Sequence, residues 1–378
     1  MDFSLSEEQQ LLRDSIARFV QNEYSFAVRQ KFVASPAGWS AKVWGQLAGM
    51  GLLGVPFAEA DGGFGGSGVD LMVGMQELGR GIVVEPYLST VVLGGGVVAL
   101  AGTESQRQAI LPGVARGERR LALAHAEPQS RFDLNDVATQ ARRSGTEYVI
   151  SGKKTVVLHG AAADTLVVAA RTAGAQRDTA GITLFLVDCK ARGVTVHDYQ
   201  TIDGLRAADV SLEVVRVGVD AILGPLDGAL PLLEHAVDRG AAALCAEAVG
   251  VIEALNEATL EYLKTRQQFG QPIGRFQALQ HRAVDMLIHA EQLKSMACVA
   301  AVKSESADAT ERRRAVSAAK SLAGRAGRAV AKEAVQMHGG MGVTNELPAA
   351  HYAKRLTMID FWLGDSDWHT ERFATAAA

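Results

Sequence analysis

The sequence predicts an α+β fold in three successive segments: a helical amino-terminal domain over residues 1–120, a central β domain over 121–225 and a carboxy-terminal helical bundle over 226–378. Three observations carry that expectation. A length of 378 residues suits two or three domains. Apolar residues recur at helical spacing in the first and last segments. Between about Leu121 and Gly224 they change to short runs broken by polar or glycine-bearing loops, the pattern of strands.

At the amino end, Ser4 and Ser6 precede Glu7, Glu8 and Gln9, which is capping-box chemistry ahead of the stripe Leu12, Ile16, Phe19 and Val20. Asp61-Gly62-Gly63-Phe64-Gly65-Gly66 is a loop cluster before a helix running towards Glu77-Leu78-Gly79-Arg80; it lacks the Lys-Ser/Thr ending of a phosphate loop. In the middle segment, Tyr148–Lys153 reads as a strand entering a turn and Thr155–Leu158 as the strand leaving it. Leu166–Ala170, Ile182–Val187 and Val210–Val217 are further strands. In the last segment Leu244, Ala248, Val251, Leu255, Ala258 and Tyr262 form one helical seam, and Leu279, Ala283, Met286, Leu293 and Met296 a second. A polar break at Ser304–Thr310 precedes a third helix, where Gly324 and Gly327 permit close backbone approach, and residues after Gly342 supply the last: a four-helix bundle.

Composition narrows the function. Charged residues are 21% and hydrophobic residues 48%, which excludes a disordered chain. Lys and Arg total 38 against 42 Asp and Glu, a net charge of −4, so nothing in the overall balance draws the chain to nucleic acid or anionic membranes. Cys189, Cys245 and Cys298 are far apart and odd in number, against a disulfide framework or a zinc site. The start, with Asp2, Glu7 and Glu8, has no signal-peptide pattern. Pro86–Thr103 is uncharged, but Pro86 and Gly94-Gly95-Gly96 make it a poor membrane span and a better buried core. The expectation is a soluble cytoplasmic protein with no nucleic-acid or membrane partner.

The loops between the carboxy-terminal helices carry recognisable text. Arg266-Gln267-Gln268-Phe269-Gly270-Gln271-Pro272-Ile273, then Phe276-Gln277 and Gln280-His281, resembles the R-x-x-F-G-x-P-I and F-Q pattern of the acyl-CoA dehydrogenase family. Gln336-Met337-His338-Gly339-Gly340-Met341-Gly342 is similar to its Q-x-x-G-G-x-G turn. With the earlier Asp61–Gly65, Glu77–Arg80 and Leu111-Pro112, the resemblance covers essentially the whole chain. Within the family it runs to the small subunit of a two-chain enzyme, for which a long or dicarboxylic acyl group is implied.

The resemblance implies an acyl-CoA dehydrogenase-like fold, an acyl-CoA substrate, FAD and an electron-acceptor flavoprotein. In the family a carboxylate removes the α proton while the β hydrogen leaves as hydride to the flavin, and backbone N–H groups hold the thioester oxygen. The cofactor-binding residues it implies are Arg266, Phe269, Gln277, Gln336, Gly339 and Gly340, reaching the FAD of a neighbouring subunit. Arg266 also has a plain reading as a solvated helix-end cation, Gln336 and Gly339-Gly340 as an ordinary helix end, and Phe269 and Phe276 as core.

Departures from the pattern are as informative. The family's catalytic glutamate falls on Leu363, within Trp362-Leu363-Gly364-Asp365. The alternative base position on the first long helix falls on about Gly240, and its neighbouring arginine on Ala241. Ala126 stands where a hydroxyl residue precedes Glu127-Pro128, and Val156-Val157-Leu158-His159-Gly160 replaces W-x-T-N-G, with Val156 for the aromatic and Leu158 for the hydroxyl. No catalytic residue is therefore assigned. The expectation is a base-less subunit, inactive alone, in a heterotetramer with a second acyl-CoA dehydrogenase-like subunit, or else a homo-oligomer. Two alternatives stay open: a self-sufficient FAD enzyme using Asp365 as base or doing oxidase or monooxygenase chemistry, and a non-catalytic binding or scaffold protein. Asp360 and Asp367 read as surface or helix-terminal carboxylates, Cys245 as a small core residue, and His281 and His289 as solvated or core side chains.

Overall fold

Ser6 opens the first helix: its Oγ accepts from the Gln9 N–H while the Gln9 side chain accepts from the Ser6 N–H. The computed structural model describes residues 4–376. In chain order its first helices are α1 (Glu7–Glu23), α2 (Phe26–Val33), α3 (Ala41–Gly49), α4 (Gly68–Arg80), α5 (Gly96–Ala101) and α6 (Glu104–Ala115). The strands follow: β1 (Leu121–Ala124), β2 (Gln140–Ser144), β3 (Glu147–Leu158), β4 (Thr165–Arg171), β5 (Ile182–Asp188), β6 (Val194–Gln200), β7 (Arg206–Gly218) and β8 (Ile222–Leu223). Helix α7 (Leu230–Thr265) leads into a small hairpin, β9 (Gln267–Gln268) and β10 (Gln271–Pro272), then α8 (Gln277–Lys303), α9 (Ala309–His338), α10 (Pro348–Phe361) and α11 (Ser366–Thr375). The order of helices, β domain and helices is the one the sequence predicts. Helix α11 is an addition to the four expected helices.

The chain forms two units, each interleaved in sequence. One gathers residues 4–31, Gly68–Val83 and residues 241–376; the other Phe32–Ser67 and Val84–Gly240. In the first, Leu244, Ala248, Val251 and Leu255 on α7 are fully buried, as are Met286 and Leu293 on α8. Helices α4 and α7 cross at backbone distance, since a Cβ at Gly79 would strike the Glu247 carbonyl and one at Gly250 the Gln76 carbonyl. Arg355 on α10 forks onto the Glu247 carboxylate with two 2.6 Å bonds, both side chains buried. Gly324 lets the Asp360 carboxylate lie against α9, while Gly327 is in ordinary contact with Leu356.

In the second unit the sheet order is β6-β7-β3-β2-β4-β5-β8, with β1 pairing β4 in parallel. Its core is built from Ile150, Val157, Leu166, Val168, Phe185, Val187, Val210 and Val215. The expected turn between Tyr148–Lys153 and Thr155–Leu158 is absent: both stretches belong to the single strand β3. The polar and glycine residues that suggested a turn make two register shifts against β7 instead, between Ile150 and Gly152 and between Lys154 and Val157. Residues Leu88–Gly95 form a wholly buried π-helical stretch, so the uncharged Pro86–Thr103 segment begins as core, as expected. No helix among the described residues is long and apolar enough to cross a membrane.

Candidate functional site

Two loops of the first unit meet through a ring stack. Tyr262, on the last turns of α7, stacks on His338, the last residue of α9, with centroids 4.5 Å apart. The His338 Nδ1–H donates to the Ala334 carbonyl at 2.8 Å, which fixes that ring. Arg266 follows one turn after Tyr262, its N–H bonded to the Tyr262 carbonyl and its carbonyl to the Ile273 N–H, so it starts the β9–β10 hairpin. At the hairpin tip Phe269 has φ +54° and is 90% exposed, its ring edge-on to Phe276 at 6.1 Å. Gln277 is the exposed first residue of α8, and an Arg282–Glu333 ion pair of 3.4 Å ties α8 to α9 nearby in sequence.

Gln336 is exposed on the last turn of α9, and Gly339 ends the helix at φ 60°, ψ −140°, a conformation that is almost glycine's alone. Gly340 is different. Its φ is unexceptional and an added Cβ would meet nothing within 4 Å, so no contact inside the chain demands glycine there. The opening suits a group from outside that approaches the backbone closely. All six residues, Arg266, Phe269, Gln277, Gln336, Gly339 and Gly340, are exposed, which suits contacts made beyond this chain. A guanidinium, an amide and an open glycine turn are a donor set that fits a diphosphate.

The positions that the resemblance turns toward a flavin fit less well. Ala126 and Leu158 have no hydroxyl to offer, and Val156 is a β-branched residue held at φ +53°. Its N–H donates to Asp209 Oδ1 at 3.2 Å, beside the Thr155 hydroxyl at 2.8 Å. Glu127, which the sequence marks only as part of a motif, is a buried hub. It accepts from Lys154 Nζ at 2.6 Å and from the N–H groups of Ala138 and Thr139. Burial works to raise the Glu127 pKa, but the Lys154 charge and these hydrogen bonds outweigh it and hold it below the usual value. Burial pulls Lys154 down to about 8, and burial with the Lys154 charge pulls His125 down to about 4. Glu127 and Lys154 are committed to each other, while the buried His125 Nδ1 has no hydrogen-bond partner among the described residues.

Around Leu363 the carboxylates are engaged. Asp365 caps α11, accepting from the Trp368 N–H at 2.8 Å. Asp360 is buried, accepts from the Ser366 N–H at 3.0 Å and faces Arg328 at 3.4 Å. Asp367 lies exposed in the first turn of α11. Leu363 itself is half-buried with φ +59°, a backbone feature that no sequence pattern announces. Gly240 and Ala241 are buried on α7. Two residues earlier the sequence reading passed over Asp238 and Arg239; Asp238 is 1% exposed, and Arg239 lies near Tyr87 and Gly96. Burial raises Cys245 to about 12, consistent with an inert core thiol. His281 is exposed and His289 half-buried, and no group of three metal-ligating side chains occurs among the described residues.

Comparison with known proteins identifies the family. The amino-terminal, middle and carboxy-terminal domain models of acyl-CoA dehydrogenase match residues 6–118, 122–215 and 230–378. The acyl-CoA dehydrogenase FadE12 of Mycobacterium tuberculosis is 30% identical over 92% of this chain and 90% of its own. The short-chain specific acyl-CoA dehydrogenase of Clostridium acetobutylicum is 28% identical over 97% of both chains. Among solved structures, a chain of the ChsE4–ChsE5 complex of Mycobacterium tuberculosis superposes with a TM-score of 0.88 at 26% identity, covering 100% of this chain and 99% of that one. With three successive domains matched in order and the loop text in place, the chain belongs to the acyl-CoA dehydrogenase family.

Proposed function

We propose that this chain is the base-less subunit of a heteromeric, FAD-linked acyl-CoA dehydrogenase. It contributes cofactor contacts to a partner subunit and binds acyl-CoA without turning it over alone. The observation that carries the reading is Leu363: the base position holds an isobutyl group, and of the carboxylates beside it in sequence Asp360 is committed to an ion pair and Asp365 to a helix cap. A relative that crystallises as a two-protein complex, ChsE4–ChsE5, supports a partner of the same kind.

FAD supplies the hydride acceptor in this chemistry, and Arg266 with the Gln336–Gly340 turn would hold its diphosphate end. Ala126, Val156 and Leu158 themselves offer no side-chain hydroxyl, so no redox step is assigned to them. A separate flavoprotein would serve as electron acceptor, and the acyl class would be long or dicarboxylic. Absence of a membrane-spanning helix among the described residues is compatible with work in the cytoplasm.

The test is dye-linked oxidation of an acyl-CoA panel by the isolated, FAD-supplemented chain. A general base supplies a factor of about 10² to 10⁴, so turnover is expected to be at background. Robust turnover lost in Asp365→Asn would replace this reading with a self-sufficient enzyme. In the complex with a glutamate-bearing partner, Arg266→Ala is expected to lower FAD retention; unchanged retention would remove Arg266 from the cofactor site.

A further inference from the structure

One face of the β2–β3 ladder holds a cavity of about 400 Å³ lined by Ala138, Gln140, Arg142, Val149 and Ser151. The register explains why these residues gather. Gln140 pairs with Ser151 and Arg142 with Val149, so four of the five side chains form two directly opposed cross-strand pairs on one face of the sheet. Between them Ala141 and Ile150, paired with each other, point the other way into the core and are 2% and 0% exposed. Ala138 lies just ahead of β2, its N–H tied to the Glu127 carboxylate at 2.8 Å.

Hydrogen bonding within the lining is one-sided. Gln140 Oε1 accepts from Arg142 Nε at 3.2 Å and from its Nη2 at 2.8 Å. Only an oxygen can face a guanidinium in this way, which settles the orientation of the amide and keeps its NH2 group out of that contact. Ser151 Oγ accepts from the Val214 N–H at 3.2 Å, which leaves the hydroxyl proton to be given. Both side-chain acceptors of the lining are thus engaged, whereas Arg142 Nη1, Gln140 Nε2 and the Ser151 hydroxyl donate to no described residue. Charge is one-sided too. Arg142 makes no ion pair with any described residue, while Glu147, on the same face of β3, is matched by Arg216 of β7 at 3.2 Å.

We propose that this cavity is a binding site for a small oxyanion, a carboxylate or phosphate group on a short apolar body, with Arg142, Gln140 and Ser151 as its donors. A guanidinium already held in plane by Gln140 presents its remaining N–H groups with little further loss of freedom, and its charge-assisted bonds to an oxyanion are of the strong class. Ala138 and Val149 offer methyl groups and no polar side-chain atom, which suits the body of the ligand rather than its head. A cation would meet the Arg142 charge and find no carboxylate in the lining to receive it. A face with nothing to hold would pair Arg142 with a carboxylate across the strands, as Arg216 is paired with Glu147. The site shares no residue with the proposed cofactor contacts.

The experiment titrates the full chain by calorimetry, in a phosphate-free chloride buffer, with n-butyl phosphate, butyrate and n-butylammonium. Saturable binding of at least one anion and none of the cation is expected, and the stronger anion identifies the head group as phosphate or carboxylate. Inorganic phosphate or acetate should bind several-fold more weakly than its butyl counterpart, since its methylenes no longer cover Val149; equal affinities would overturn the part assigned to Ala138 and Val149. Arg142→Gln, a change at an exposed side chain, should weaken the anion about tenfold or more, the worth of a hydrogen bond to a charged group. Gln140→Leu should weaken it several-fold, through the lost amide and the released guanidinium. Arg266→Ala, in the proposed cofactor loop, should leave the titration unchanged. Anion binding undiminished in Arg142→Gln would overturn the inference, whether or not Arg266→Ala removes it. So would the absence of saturable binding by either anion, or equal binding of butylammonium.

Discussion

Lys154 and Glu127 are 0% and 2% exposed at the side chain, so their 2.6 Å contact has no solvent to fall back on. Lys154→Met would leave the carboxylate buried among backbone donors with its main counter-charge gone, and breaking a buried pair from one side typically costs about 3–5 kcal/mol. The paired change Glu127→Gln with Lys154→Met should be milder; urea unfolding midpoints of the three proteins check this. His369 supplies a pH prediction. Burial chiefly, with the Lys320 charge, lowers its pKa from 6.5 to about 2. Below pH 6.5 the unfolded chain therefore binds a proton that the folded chain refuses. Its contribution to stability is whole above 6.5 and falls with acidity by up to about 1.4 kcal/mol per pH unit towards pH 2. Acid titration of stability in His369→Gln should be shallower over that window, and equal slopes would count against the assignment.

At the scale of elements, β3 tests how its two irregularities are held. Val156 is exposed at φ +53° whereas Val157, next to it, is 2% exposed in the sheet core. Val156→Gly is expected to change stability by no more than about 1 kcal/mol, on the stabilising side, because relief of strain offsets the freer unfolded chain. Val157→Gly should cost about 2 kcal/mol or more through lost burial. Thermal unfolding of both variants decides between a bulge and a regular strand. The same strand marks the limit of sequence reading. Gly152 and the polar residues around it look identical whether they make a turn or a bulge, because the difference lies in β7, where Gly152 pairs with Leu212 far along the chain. Elements with strong periodicity were legible, among them the α7 seam and the Ser304–Thr310 break before α9. The arginine and glycine loops of the candidate site were legible as text. The Leu363 dihedral, the burial of Lys320 and His369 and the short β1, β2 and β6 were not, since each depends on tertiary neighbours rather than on local pattern.

At the scale of the whole molecule, α8 carries an exposed apolar stripe: Val284, Leu287 and Ile288 are 53%, 54% and 48% exposed at helical spacing. On the proposed reading a second subunit covers such surface. Val284→Glu with Leu287→Glu should lower the molar mass seen by light scattering at micromolar concentration, and an unchanged mass would place the interface elsewhere. The interleaving of the two units has a consequence for biosynthesis. All of the unit formed by Phe32–Ser67 and Val84–Gly240 has been made once Gly240 leaves the ribosome. The other unit still lacks Ala241 onward at that point, although its α1 and α2 were made well before. Arg29 must wait for the Ile82 carbonyl it donates to, and Gln30 for His351, 321 residues later. Vectorial synthesis therefore offers α2 a long interval before Phe26 and Gln30 meet His351, during which a nascent-chain chaperone has most to do.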